Sequence, residues 1–194
     1  MHHPRTVLAL VLTGTLLLGA GCSDEGAEAD PQPILPSSSS ASPTDEPTPS
    51  ASPTEAPTMP AAAEERTLGG AEAFVRHWVD TFNYSTSTGA TQPLETLSDD
   101  TCEGCANIVS ATDVIYDAGG RIESTGWKIR RVGVTPGETV RAPSVAAQIQ
   151  RSSQRVFQTP EGRADRYEGG PAAYIFDLTW SGGWRMAEVE VVDS

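Results

Sequence analysis

Apolar positions along this chain pass through four successive regimes, and each predicts a different kind of structure. Val7 to Leu18 is a twelve-residue, mostly apolar run behind a short positive start, Met1 to Arg5. It is too short for a bilayer span, which takes about 20 residues. Pro31 to Ala63 follows with nine Pro, seven Ser and four Thr in 33 positions, and only Ile34, Leu35 and Met59 are large and apolar. Such a segment cannot bury enough surface to offset its ordering entropy, so it is expected to be disordered and partly extended. From Gly70 the spacing becomes helical: Ala71, Phe74, Val75, Trp78, Val79 and Phe82 recur at steps of three and four and share one face. After Gly120 the period drops to two, as in strands.

The first regime reads as an export signal. Small residues close it at Leu18-Gly19-Ala20-Gly21-Cys22, and the cysteine directly after them resembles a lipobox. The resemblance implies that Cys22 receives a diacylglycerol thioether and becomes the first residue of the mature chain. Gly19 departs from the pattern, standing where Leu is usual, with Leu18 one place further back. The division predicted is a signal peptide at 1–21, a lipidated N-terminus and disordered tether at 22–66, and one domain at 67–194. As a flexible coil the tether would span about 35–40 Å, and as extended polyproline about 130 Å. The address is the outer face of the cytoplasmic membrane, with the lipid on Cys22 as the membrane contact.

Within the domain, the polar face of the first helix carries Glu72, Arg76, His77 and Asp80, with Glu72 and Arg76 placed to pair at i,i+4. A short turn of helix is expected around Pro93 to Leu97. Asp100 is placed to cap a second long helix, with Glu103 three residues on. Its inward face is Cys105, Ile108, Val109, Thr112, Ile115 and Tyr116, and Gly119-Gly120 stops it. Candidate strands are Trp127 to Thr135, Val145 to Gln158, Ala172 to Ser181 and Trp184 to Val192. Gly182-Gly183 between the last two is a two-residue hairpin signal. Helices first and an antiparallel meander second predict an α+β fold with the helices packed on one face of the sheet.

The segments AEAFVRHWVDTFNYSTSTG, TCEGCANIVSATDVIYDAGGRI and WSGGWRMAEVEVV, together with the exported front end, resemble a family of actinobacterial lipoproteins. That family carries one domain of unknown function behind a Ser/Thr/Pro-rich linker. The resemblance implies a cone-like fold similar to nuclear transport factor two, a curved antiparallel sheet wrapped on the helices. It implies no reaction.

Charge narrows the partners. Residues 23–66 hold nine acids against Arg66 alone, and 67–194 hold 17 acids against 11 bases, a net of −6. No basic stripe appears along the sequence, so nucleic acid and anionic lipid surfaces are poor partners. With Cys22 assigned to lipid, Cys102 and Cys105 remain, and in an exported protein two thiols default to a disulfide. A thioredoxin-type redox pair is the alternative for Cys102-Glu103-Gly104-Cys105. It needs a stabilised thiolate and an apolar strand ahead of the motif, whereas Asp99, Asp100 and Glu103 crowd this one and no strand precedes it. Zinc would need two further ligands that the neighbourhood does not supply, so neither a metal nor a cofactor is expected.

For acid–base chemistry His77, Asp80 and Asp177 are the candidates. His77 falls on the polar helix face beside Asp80 and reads as a solvated ion pair. Asp177 alternates out of phase with Tyr174, Phe176, Leu178 and Trp180, so it faces outward if they face the cone. Aromatic residues are the remaining signal. Trp78, Phe82, Tyr116, Trp127 and Trp180 are the candidate lining of a small-ligand pocket, with core packing as the plainer role. The domain is expected to bind a small apolar ligand or an envelope protein. An isomerase- or hydratase-type enzyme using the cone pocket, or an accessory domain positioning a cell-wall machine, are the alternatives. A deep pocket holding an inward Asp, Glu or His would favour the enzyme, and a filled cone with an exposed apolar sheet face would favour a protein partner.

Overall fold

The computed structural model describes residues 55–192; the expected signal segment, Cys22 and most of the expected tether lie outside the described residues. The packed part begins ahead of Thr67. Ala61–Glu64 form one 3-10 turn in which Ala63 is buried, and Met59 packs against the core beside it. The backbone oxygen of Glu65 accepts a bond from the Trp184 indole N–H at 2.9 Å. This arm lies on the start of α1 (Leu68–Thr88), whose N-cap is Thr67, its hydroxyl accepting the Gly70 N–H at 2.9 Å. A Cβ on Gly70 would meet the Glu65 oxygen at 2.0 Å, so only glycine lets the arm close on the first helical turn.

The apolar stripe of α1 behaves as its spacing dictates: all six predicted residues are buried. Its polar face does not. His77 is buried rather than solvated, because α1 is packed on more than one side and the arm lies against it. Glu72 does not pair with Arg76; its Oε1 accepts the Val134 backbone N–H at 3.1 Å, tying the helix to the sheet. A backbone donor at a sheet margin needs an acceptor more than an exposed ion pair needs its partner.

α2 (Gln92–Thr96) is a short helix with Pro93 in its first turn, and α3 spans Glu103–Asp117. Cys102, not Asp100, stands at the N-cap of α3, with the Cys105 N–H 3.2 Å from its sulfur. The preceding loop is fixed elsewhere: the Asp99 N–H donates to Met186 and its carboxylate takes the Thr179 hydroxyl. That leaves Asp100 exposed and out of capping position.

Seven strands follow: β1 (Arg121–Glu123), β2 (Trp127–Val134), β3 (Ser144–Arg151), β4 (Gln154–Phe157), β5 (Ala164–Tyr167), β6 (Gly170–Trp180) and β7 (Trp184–Val192). They form a four-stranded antiparallel sheet, β2-β3-β6-β7, and a three-stranded one, β1-β4-β5. The long strand expected over 145–158 is broken at Ser152-Ser153, and its halves join different sheets. The serine hydroxyls divert the backbone: Ser152 Oγ accepts the Thr125 N–H and Ser153 Oγ the Gly169 N–H, replacing ladder bonds. The turn between β6 and β7 holds three residues, Ser181 to Gly183, because Trp180 pairs with Trp184. Gly182 supplies the left-handed position there, at φ 77°.

Register puts Val145 opposite Phe176 and Ala147 opposite Tyr174, so one face of the large sheet is apolar. That face closes on the α1 stripe in a single core. The result is α+β, helices cupped by curved antiparallel sheet.

Candidate functional site

The five aromatic residues expected to line one pocket do not meet in one place. Three join the core in a closed ring of contacts. Trp78 meets Phe82 (centroids 6.0 Å apart), Phe82 meets Trp127 (4.3 Å), Trp127 meets Tyr174 (4.7 Å) and Tyr174 meets Phe176 (6.0 Å). Phe176 returns to Trp78 at 5.8 Å, edge-on. Four of the five spacings fall in the usual range of favourable aromatic pairs, and Phe82–Trp127 is slightly closer. Trp78 and Phe176 are 0% exposed. Between helix and sheet these rings pack against one another in the core. The Trp78 indole N–H has no acceptor among the described residues, so packing alone holds the side chain there.

Trp180 belongs to a separate cluster, edge-on to Trp184 at 4.9 Å, with the Arg66 guanidinium of the arm 5.7 Å from its ring centre.

Tyr116 lines an external cleft. Its hydroxyl donates to the Thr86 carbonyl at 3.0 Å and receives the Ile122 N–H at 3.5 Å, joining the ends of α1 and α3 to β1. Burial raises its pKa, against the Ile122 bond, so the phenol stays protonated. Beside it lies a cleft of about 780 Å³ along the small sheet. Serine hydroxyls and the phenol of Tyr167 line it, with Arg121, Arg155 and Arg166 on the strands.

Strand register explains the arginines. Glu123, Arg155 and Arg166 stand in one row across β1, β4 and β5, and Arg121 is opposite Phe157. Glu123 bridges two guanidinia, reaching Arg121 at 2.9 Å and Arg155 at 2.8 Å. Both guanidinia lie on Phe157, Arg121 at 3.6 Å from the ring centre and Arg155 at 5.0 Å. Those two side chains are thereby held in place. Arg166 has no carboxylate at ion-pair distance among the described residues, so the row keeps excess positive charge. Sequence reading missed this cleft because β1 and β5 are only three and four residues long and show no apolar alternation.

The other candidates are dispersed. His77 is buried in α1, and burial lowers its pKa while Asp80 opposes the shift. Asp177 is out of phase with the buried Tyr174, Phe176 and Leu178, and it accepts the Ser144 hydroxyl. Cys102 and Cys105 are joined, their sulfurs 2.08 Å apart. Among the described residues, no cluster of His, Cys, Asp and Glu is arranged to hold a metal ion.

Fold and site together define an α+β domain with a packed aromatic interior and a polar external cleft. The chain belongs to the family of unknown function DUF6318, which matches residues 44–189. No curated protein matches it. Among solved structures, it is similar to the intermembrane space region of the chloroplast protein ARC6, with a TM-score of 0.51 and 14% identity, covering 66% of this chain and 98% of that one. The Kfla4162 protein from Kribbella flavida matches at a TM-score of 0.42 and 14% identity, covering 64% and 90%. At 14% identity the likeness to the ARC6 region is one of fold.

Proposed function

We propose that this protein is a lipid-anchored binding protein on the outer face of the cytoplasmic membrane, and that its domain takes a polar ligand in the external cleft beside Tyr116. One observation carries the proposal: the aromatic rings around Trp78 pack on one another in the core, while the external cleft presents the Arg166 guanidinium, unpaired among the described residues, and the exposed Tyr167 phenol to solvent. The anchor rests on the apolar run, the small residues before Cys22 and the Ser/Thr/Pro composition that follows. In this reading the tether lets the domain reach ligands away from the membrane surface.

A second reading, an envelope protein as partner, is favoured by Val114 and Tyr167. They are 65% and 54% exposed and border one groove between α3 and the small sheet.

Amide shift mapping of the full-length protein against a panel of neutral and charged oligosaccharides tests the first reading. Shifts are expected at Thr125, Ser152, Ser153 and Arg166. Shifts at Trp78 and Phe176 instead would mean that the interior opens to ligand. Shifts at none of these positions would leave the protein-partner reading in its place.

A further inference from the structure

We infer that the cleft is one half of a continuous cationic track, and that its ligand is a polysaccharide bearing oxyanions; the inference rests on the cleft being the binding site. A second cleft, of about 360 Å³, adjoins the first and shares Thr125, Ser152, Ser153 and Glu168 with it. It brings Lys128, Arg130 and Arg151, so six cations line the two clefts against Glu123 and Glu168. This concentration stands out in a domain whose net charge is −6. The sequence shows no basic stripe because the six positions are spread from 121 to 166 on five strands, and only the fold assembles them.

Two details point to a ligand rather than to a solvated surface. Arg155 and Arg166 are direct cross-strand neighbours, and like charges so placed repel. Glu123 neutralises one guanidinium's share and already serves Arg121. An oxyanion seated between Arg155 and Arg166 removes the repulsion, and the guanidinium fork suits a carboxylate or a phosphodiester equally. The shared wall of the two clefts is hydroxyl-rich, with Thr125, Ser152 and Ser153, and Tyr167 offers a half-exposed ring at the rim. Hydroxyls and an aromatic rim match the body of a sugar. A concave track also suits a polymer chain better than the flat face of a membrane.

The test uses full-length protein, with hexagalacturonate as the carboxylate probe, a glycerol-phosphate hexamer as the phosphodiester probe and fully methyl-esterified hexagalacturonate as the uncharged control. Calorimetry at two salt concentrations reads affinity. At least one anionic probe is expected to bind ten-fold or more tightly than the ester and to weaken as salt rises. Arg166→Gln and Arg130→Gln, one exposed residue in each cleft, should each weaken that binding several-fold with unchanged thermal unfolding. Equal binding of ester and acid would overturn the anion inference while leaving the cleft as a sugar site. Binding of none of the three probes would overturn both. Binding only to vesicles containing 30% phosphatidylglycerol, with the same dependence on Arg166 and Arg130, would replace the polysaccharide with a membrane surface and so overturn the inference.

Discussion

Phe82 and Trp127 lie with ring centroids 4.3 Å apart, joining α1 to β2 across the space where a cone-shaped domain would hold a ligand. The contact is reinforced one residue along. Asn83 Nδ2 donates to the Trp127 carbonyl at 2.9 Å, and the Trp127 N–H donates to Asn83 Oδ1 at 2.7 Å. An aromatic pair and a two-way backbone clamp thus fix the same strand end, and the wall of the cleft begins there at Thr125 and Gly126.

Trp78→Ala should cost about 3–5 kcal/mol, the range for removing a buried large aromatic from a packed core. Trp78→Phe should cost less, because it keeps a ring while deleting the indole N–H that finds no acceptor. Urea unfolding of both variants measures the difference. Equal losses would mean that the N–H is satisfied after all.

Asn83→Ala removes both bonds to the Trp127 backbone and should cost about 1–3 kcal/mol. Amide exchange at Trp127 should accelerate with it. Gly126→Ala should disturb the same joint, since a Cβ there would meet Asn83 Oδ1 at 2.5 Å and the backbone φ is +79°. Unchanged exchange at Trp127 in both variants would show that the clamp is not what holds the strand.

The helices were legible because burial there follows a period. Phe74, Trp78 and Phe82 share a stripe, and a stripe of that width has to be covered. β2, β6 and β7 were legible by their alternation, whereas 145–158 read as one strand and is two. His77 was misread because a helical wheel shows one packed face, whereas α1 packs against the arm as well as the sheet and His77 is buried. The cleft was the least legible part. Glu123, Arg155 and Arg166 become neighbours only through the pairing of three short strands, and no local pattern announces a strand such as Ala164–Tyr167. Of the expected pocket residues, Tyr116 reached the cleft as one end of a hydrogen-bonded joint, while Trp78, Phe82 and Trp127 became core.

Acidification should weaken the fold through His77. Burial holds its pKa below the ordinary 6.5, so the unfolded chain binds the proton first and the folded state loses stability as pH falls. Asp80 tempers the effect by attracting the protonated ring. Between about pH 7 and 5 the wild type should lose stability faster than His77→Gln. Parallel stability curves for the two proteins would remove His77 from this account.

Cys22→Ala should abolish both lipid attachment and membrane retention. Mass spectrometry of the mature N-terminus decides the point, and an unmodified Cys22 or cleavage elsewhere contradicts the anchor.

Joint replacement of Cys102 and Cys105 by serine should leave the fold intact and lower its stability by about 2 kcal/mol, the chain-entropy value for so small a loop. Catalysis of insulin reduction by the wild type would instead make the pair a redox centre.

A xenon-pressurised crystal structure tests most directly whether ligand is held outside a packed interior. Xenon enters dry apolar cavities and is kept out of packed cores. Wild-type protein is predicted to show no xenon within the ring formed by Trp78, Phe82, Trp127, Tyr174 and Phe176, while Trp78→Ala takes it up in the space the indole leaves. Xenon beside Trp78 and Phe176 in the wild type would contradict the account, because the interior would then hold a chamber able to receive an apolar ligand.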